Sequence, residues 1–147
     1  MPGPLHGYRV VDLTSNVAGP LATMILGDQG ADIIKVEAPD GGDATRTGGN
    51  RRAGFTASFL NNNRNKRSIA LDLKSAGGRE ALLRLAAGAD VFVQNFRPGV
   101  AERLGVGEEP VRAVSPKICA HVPLVFAPFC SHNARNVGSS VSRCAFR

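Results

Sequence analysis

Two β-branched apolar runs, YRVVDL (residues 8–13) and DIIKVE (32–37), flank GPLATMILGDQG, a stretch of helix formers that opens on Gly19-Pro20 and stops at Gly30. Strand, helix and strand in that order make a βαβ unit, and the pattern then recurs. SIALDL (68–73) is the next strand, SAGGREALLRLAAGA (75–89) a helix with Ala81, Leu82, Leu85 and Ala86 on one face, and DVFVQNF (90–96) another strand. Such alternation predicts an α/β fold: a Rossmann-like, mainly parallel sheet with flanking helices and right-handed crossovers. Between the two units, residues 38–66 are rich in Gly, Asp, Asn and Arg. That stretch is too long for an ordinary connection and reads as a functional loop with a short helix around 55–60. After Pro98 the sequence predicts two short helices, then a strand opening at ICAHVPLVF (118–126).

Val91, Phe92 and Val93, followed by Asn-Phe-Arg-Pro-Gly, read as a buried strand whose next residues sit at the sheet's carboxyl edge. Ligands bind at that edge in open α/β sheets, because the loops vary while the strands hold them in place. Several ligand classes lack their signatures. The first strand-to-helix turn, TSNVAGPLA, has no G-x-G-x-x-G, so a nicotinamide dinucleotide is disfavoured; Glu37, where a ribose-binding acid would stand, reads better as a solvated strand end. A Walker A sequence and a Gly-x-Ser-x-Gly elbow are also missing. In NNNRNKRSIALDLK (61–74), Arg64, Lys66 and Arg67 precede what reads as a buried strand and Lys74 follows it. These cations suit a ligand's phosphates, although a solvated basic rim is the commoner origin of such a run.

The net charge of +6 does not imply nucleic acid, because it is unevenly placed. Residues 1–109 carry 13 Lys+Arg against 12 Asp+Glu, whereas residues 110–147 carry five basic residues and no acid. Cys119, Cys130 and Cys144 fall in the same final stretch with His121 and His132. Their spacings match no usual zinc site, and three cysteines without a secretion signal suggest no disulfide framework, so neither metal nor disulfide is expected. From Cys119 onward the period fails, which divides the chain into residues 1–118 and an atypical, poorly ordered tail, 119–147. No apolar run approaches a membrane span and no targeting segment is evident, so the expected compartment is the cytoplasm, with mitochondria and peroxisomes as alternatives.

Taken together, VVDLTSNVAGPLATMILGDQGADIIKVEAPDGGDATR, NRNKRSIALDLKSAGGREALLRLAAGADVFVQNFRPGVAERLG and VSPK resemble the family III CoA-transferases, a group that includes formyl-CoA transferases, carnitine-type CoA-transferases and α-methylacyl-CoA racemase. The resemblance covers residues 5–117. It implies coenzyme A or an acyl-CoA as ligand, a small carboxylic acid as co-substrate, no metal, and a homodimer of two interlocked chains. By the same resemblance Asn95 and Phe96 line the CoA site, with Arg97 beside them, and Arg103 lies near the phosphates. Leu71 and Lys74 contact the adenosine end, and the backbone at Asn16 and Val17 lies where the pantetheine arm approaches the reaction centre. Ala38 stands where some members carry a basic residue near the adenine.

The family chemistry is nucleophilic catalysis by one aspartate, which attacks the thioester to form an acyl-enzyme anhydride and then an enzyme–CoA thioester. None of Asp12, Asp28, Asp32, Asp40, Asp43, Asp72 or Asp90 matches that nucleophile. Where members continue into a Ser-Gly-(Phe/Tyr)-Gly segment and the aspartate-bearing turn, this chain reads ICAHVPLVFAPFC. The expectation is therefore a CoA-transferase truncated before its catalytic residue and inactive alone. The alternatives are a non-catalytic isoform that binds CoA or pairs with full-length subunits, and a fragment of a racemase-like enzyme, which would use a His/Asp pair.

Overall fold

The computed structural model describes residues 2–120. Strands β1 (Arg9–Asp12), β2 (Asp32–Glu37), β5 (Lys66–Ala70), β6 (Val91–Val93) and β7 (Cys119–Ala120) form one sheet in the order β5-β2-β1-β6-β7, and every pairing in it is parallel. Helices α1 (Ala18–Asp28), α2 (Ala57–Asn63), α3 (Ala76–Ala87), α4 (Val100–Arg103) and α5 (Glu108–Val114) connect the strands. The strand order reverses on either side of β1. Chain connections therefore leave β1 and β6 in opposite directions and open a crevice beyond their carboxyl ends.

The strands form where the apolar runs fall, and alternation sends their side chains to two cores. Val11, Leu13, Val36 and Phe92 pack with Leu82 and Ala86 of α3, Ala101 of α4 and Val111 of α5, whereas Val10, Ile33 and Val93 pack with Ala31, Leu5 and Leu26. Leu82 and Ala86 are the fully buried pair of the helical face read from the sequence, spaced by one turn. Polar caps fix the helix starts: Ser75 Oγ accepts the Gly78 N–H at 3.0 Å for α3, and Thr56 Oγ1 accepts the Phe59 N–H at 3.0 Å for α2.

Two expectations need correction. The strand read at 68–73 spans Lys66–Ala70, and it is an exposed sheet edge, not a buried strand. Its register, Ile33↔Lys66 through Glu37↔Ala70, lets the Lys66 ammonium reach a buried acid, while Leu71 and Leu73 leave the strand and pack on the core from the following loop. The 38–66 stretch is also more structured than a loop with one helix. It holds a 3-10 turn at Ala44–Arg46 and the hairpin β3 (Arg51–Arg52) and β4 (Phe55–Thr56), besides α2. The hairpin turns through Ala53 and Gly54, both at positive φ. Except for Cys119 and Ala120, the atypical tail lies outside the described residues, as do His121, Cys130, His132 and Cys144. Among the described residues no helix is long and apolar enough to cross a membrane.

Candidate functional site

At the carboxyl edge of the sheet a cavity of about 290 Å³ opens between the ends of four strands. Leu13, Thr14 and Ser15 follow β1, Lys35 to Glu37 end β2 and Ala38 follows it, Leu71 to Lys74 follow β5, and Phe96 follows β6; Gly42, Asp43 and Leu104 complete the wall. Leu13, Val36, Leu71, Leu73, Phe96 and Leu104 make much of the lining apolar, and Lys74 sets a cation at its margin. The arrangement suits a ligand with an apolar body and an anionic group.

Within this wall the sequence builds a buried ionic layer. Lys35 and Asp43 are almost wholly buried and meet at 2.9 Å, and the same ammonium donates to the Thr14 carbonyl at 2.8 Å. Asp43 also caps the 3-10 turn, accepting the Thr45 N–H and hydroxyl. Burial pushes the Asp43 carboxyl up, but these hydrogen bonds and the Lys35 charge outweigh it and hold the group below the usual carboxylate range. Glu37 is drawn down further, to about 2: burial again opposes, but two hydrogen bonds from Arg46, one from Ser68 Oγ and one from the Asp43 N–H prevail. Arg46 in turn lies 3.8 Å above the Phe59 ring centroid. Glu37 is thus a buried ion-pair partner, correcting its reading as a solvated strand end.

The basic cluster splits apart. Lys66 is buried and bonded to Asp12 Oδ2 (3.0 Å), the Pro20 carbonyl, Thr23 Oγ1 and Asn63 Oδ1. Burial lowers its pKa, with the Asp12 charge opposing. Arg67 pairs with Asp32 and Arg64 with Asp28. These three side chains are committed to carboxylates of the fold and do not line the cavity, while Lys74 does. The solvated-rim reading fails for Lys66, which is sealed inside the protein, whereas Arg64 and Arg67 stay exposed in their ion pairs.

Of the residues singled out by resemblance, Leu71, Lys74 and Phe96 line the cavity, as does Ala38. Asn16 and Val17 continue the turn from Ser15, and Asn95 stands directly before Phe96 with its side chain bonded to Ser15. Arg97 follows Phe96, and Arg103 ends α4 beside Leu104, without lining the cavity. Sequence reasoning passed over Thr14, Ser15, Lys35 and Asp43. A lysine amid the apolar residues of DIIKVE was the available signal, since a buried ammonium demands a nearby acid. Its partner eight residues away could not be chosen from spacing alone.

The family model for CoA-transferase family III matches residues 5–124. Succinyl-CoA:glutarate CoA-transferase of Homo sapiens is 47% identical over 116 residues, covering 78% of this chain and 26% of that protein. Probable fatty acyl-CoA transferase Rv3272 of Mycobacterium tuberculosis is 47% identical over 118 residues, covering 78% of this chain and 30% of that protein. The orthorhombic crystal structure of Rv3272 superposes with a TM-score of 0.74 at 45% identity, covering 81% of this chain and 34% of that one. A CAIB/BAIF family protein from Brucella suis superposes with a TM-score of 0.76 at 41% identity, covering 82% and 33%. The chain spans about a quarter to a third of the length of these relatives.

Proposed function

Because this chain belongs to CoA-transferase family III, we propose that its described residues form the coenzyme A-binding portion of an enzyme that moves CoA from an acyl-CoA to a free carboxylic acid. The carrying observation is the cavity at the sheet's carboxyl edge, which sets Leu71 and Lys74 on one wall and Phe96 and the Thr14-Ser15 turn on others. On this reading Leu71 packs on the adenosine and Lys74 meets a phosphate as a point charge. Phe96, with Asn95 beside it, borders the middle of the cofactor, and Arg97 and Arg103 supply positive potential toward the diphosphate. The pantetheine arm runs toward the turn at Asn16 and Val17.

The acidic groups along this edge support a binding role better than a nucleophilic one. Asp12, Glu37 and Asp43 are each engaged by a buried or half-buried cation, which stabilises the ionised carboxylate and spends the lone pairs an attack would use. The covalent step, attack of an aspartate on the thioester, is assigned to the part of a family-length enzyme that this chain does not span. On this reading the role of the described residues is to hold the CoA.

Calorimetric titration of the 147-residue chain with CoA tests the reading. Saturable binding that is lost in a folded Leu71→Asp variant is expected, since the new carboxylate would occupy an apolar wall facing an anionic ligand. No heat from a chain with native-like circular dichroism, or equal binding by the variant, would overturn it.

A further inference from the structure

Side chains from other parts of the fold hold most of the backbone groups at Thr14, Ser15 and Asn16 in the turn after β1. Leu13 N–H still donates to the Val93 carbonyl at 2.8 Å, the last rung between β1 and β6. Beyond it the strands part at the crevice. There the Asn95 amide takes over: its Oδ1 accepts the Ser15 N–H at 2.9 Å and its Nδ2 donates to the Ser15 carbonyl at 2.8 Å. One planar side chain thus imitates both partners of a strand ladder. Next, Asn16 adopts a left-handed φ of 69°, and its N–H points to Asp43 Oδ1 at 3.3 Å. Lys35 binds both the Thr14 carbonyl and Asp43, and Asp12 Oδ1 accepts the Thr14 N–H. On the far side, Thr14 fills the space where a side chain on Gly19 would stand.

Asn95 does not line the cavity, whereas Thr14, Ser15 and Phe96 around it do. We propose that Asn95 is a positioning residue: its amide clamps Ser15 so that the Thr14-to-Val17 turn is fixed before ligand arrives, with Asp43 and Lys35 holding the opposite side. The proposal rests on the CoA reading above for what the turn receives, the arm of the cofactor remote from its nucleotide. A free turn would have to be ordered on binding, and an already ordered one lowers that cost. Direct contact with the nucleotide is not part of the role.

Two readouts on the 147-residue chain separate this inference from the binding reading. The first is amide hydrogen exchange at Ser15 and Asn16 by NMR without ligand, in wild type, Asn95→Ala and Asn95→Asp. Protection should fall about tenfold or more at Ser15 in Asn95→Ala while amides of β2 keep theirs, the scale of two lost hydrogen bonds. Asn95→Asp, which retains the acceptor and loses the donor, should lie between and serves if Asn95→Ala does not fold. The second is calorimetric affinity for CoA and for adenosine 3′,5′-bisphosphate, which lacks the arm. Asn95 variants should lose about tenfold in CoA affinity and change less than about twofold for the bisphosphate, as expected when only the arm's wall is loosened. Unchanged Ser15 protection, or equal losses for both ligands, would overturn the clamp. If neither ligand binds the wild type but Ser15 protection depends on Asn95, the clamp stands and the CoA reading falls.

Discussion

Replacing Glu37 by Gln removes the charge at the centre of the Arg46, Ser68 and Asp43 hydrogen-bond set while keeping the side chain's shape. The Glu37 carboxyl is 5% exposed, and its pKa falls from 4.5 to about 2 on folding. That difference corresponds to about 3 kcal/mol favouring the folded state at neutral pH. Because the folded value lies below the unfolded one, this stability is complete above about pH 5 and declines as pH falls toward about 2, with somewhat more than half gone by about pH 3. Glu37→Gln should therefore unfold at lower urea, with a deficit of about 2–3 kcal/mol at pH 7. The deficit should shrink steadily as the comparison moves from pH 5 to pH 3. Paired urea titrations followed by circular dichroism at pH 7, 5, 4 and 3 measure it, and the difference between the two proteins removes most of the titration of Asp28, Asp32 and Asp43 common to both. A deficit below about 0.5 kcal/mol at pH 7, the scale of an exposed pair, or one that does not change with pH, would refute the assignment of a buried, strongly engaged carboxylate.

Lys66→Met should lower stability by about 3–5 kcal/mol, because it strands the Asp12 charge inside the protein, and Asp12→Asn combined with Lys66→Met should recover part of that loss, both read from denaturation midpoints. In α3, Gly77→Ala adds a methyl group into open space and should stabilise by about 0.5–1 kcal/mol. Gly78→Ala, one residue on, places Cβ 2.0 Å from the Asp72 carbonyl oxygen and should destabilise; thermal melts of the two variants should shift in opposite directions. Lys74→Ala should weaken CoA binding and flatten its dependence on salt, since a point charge facing phosphate is screened by ions; calorimetry at low and high ionic strength tests the pair.

The parallel sheet was legible because Val10, Val11, Ile33, Ile34, Phe92 and Val93 lie in runs whose period and spacing admit few other arrangements. The edge strand was less so. SIALDL carries the apolar signal of a buried strand, yet its leucines serve the loop behind it, and a lysine outside the run opens the strand because its ammonium finds Asp12. Hydropathy counts apolar residues but does not record which buried acid a charged one will meet. In the site, Leu71, Lys74 and Phe96 were singled out from family-like motifs, while Lys35, Asp43 and Ser15 carried no motif of their own.

By itself the sequence determined the alternation of strand and helix, the family to which the chain belongs, and the sheet edge at which the cavity lies, since each follows from local periodicity or ordered motifs. Only the tertiary structure decided which charges face the cavity and which are sealed behind it. Lys66 and Lys74 are eight residues apart and alike in composition, but one ends in a buried cage of Asp12, Thr23 and Asn63 and the other on the cavity wall. Likewise Asn95 meets Ser15 from eighty positions away, because β1 and β6 are neighbours in the sheet. Such partners are chosen by strand order and register, which bring distant residues within hydrogen-bond reach and leave no mark in the spacing between them.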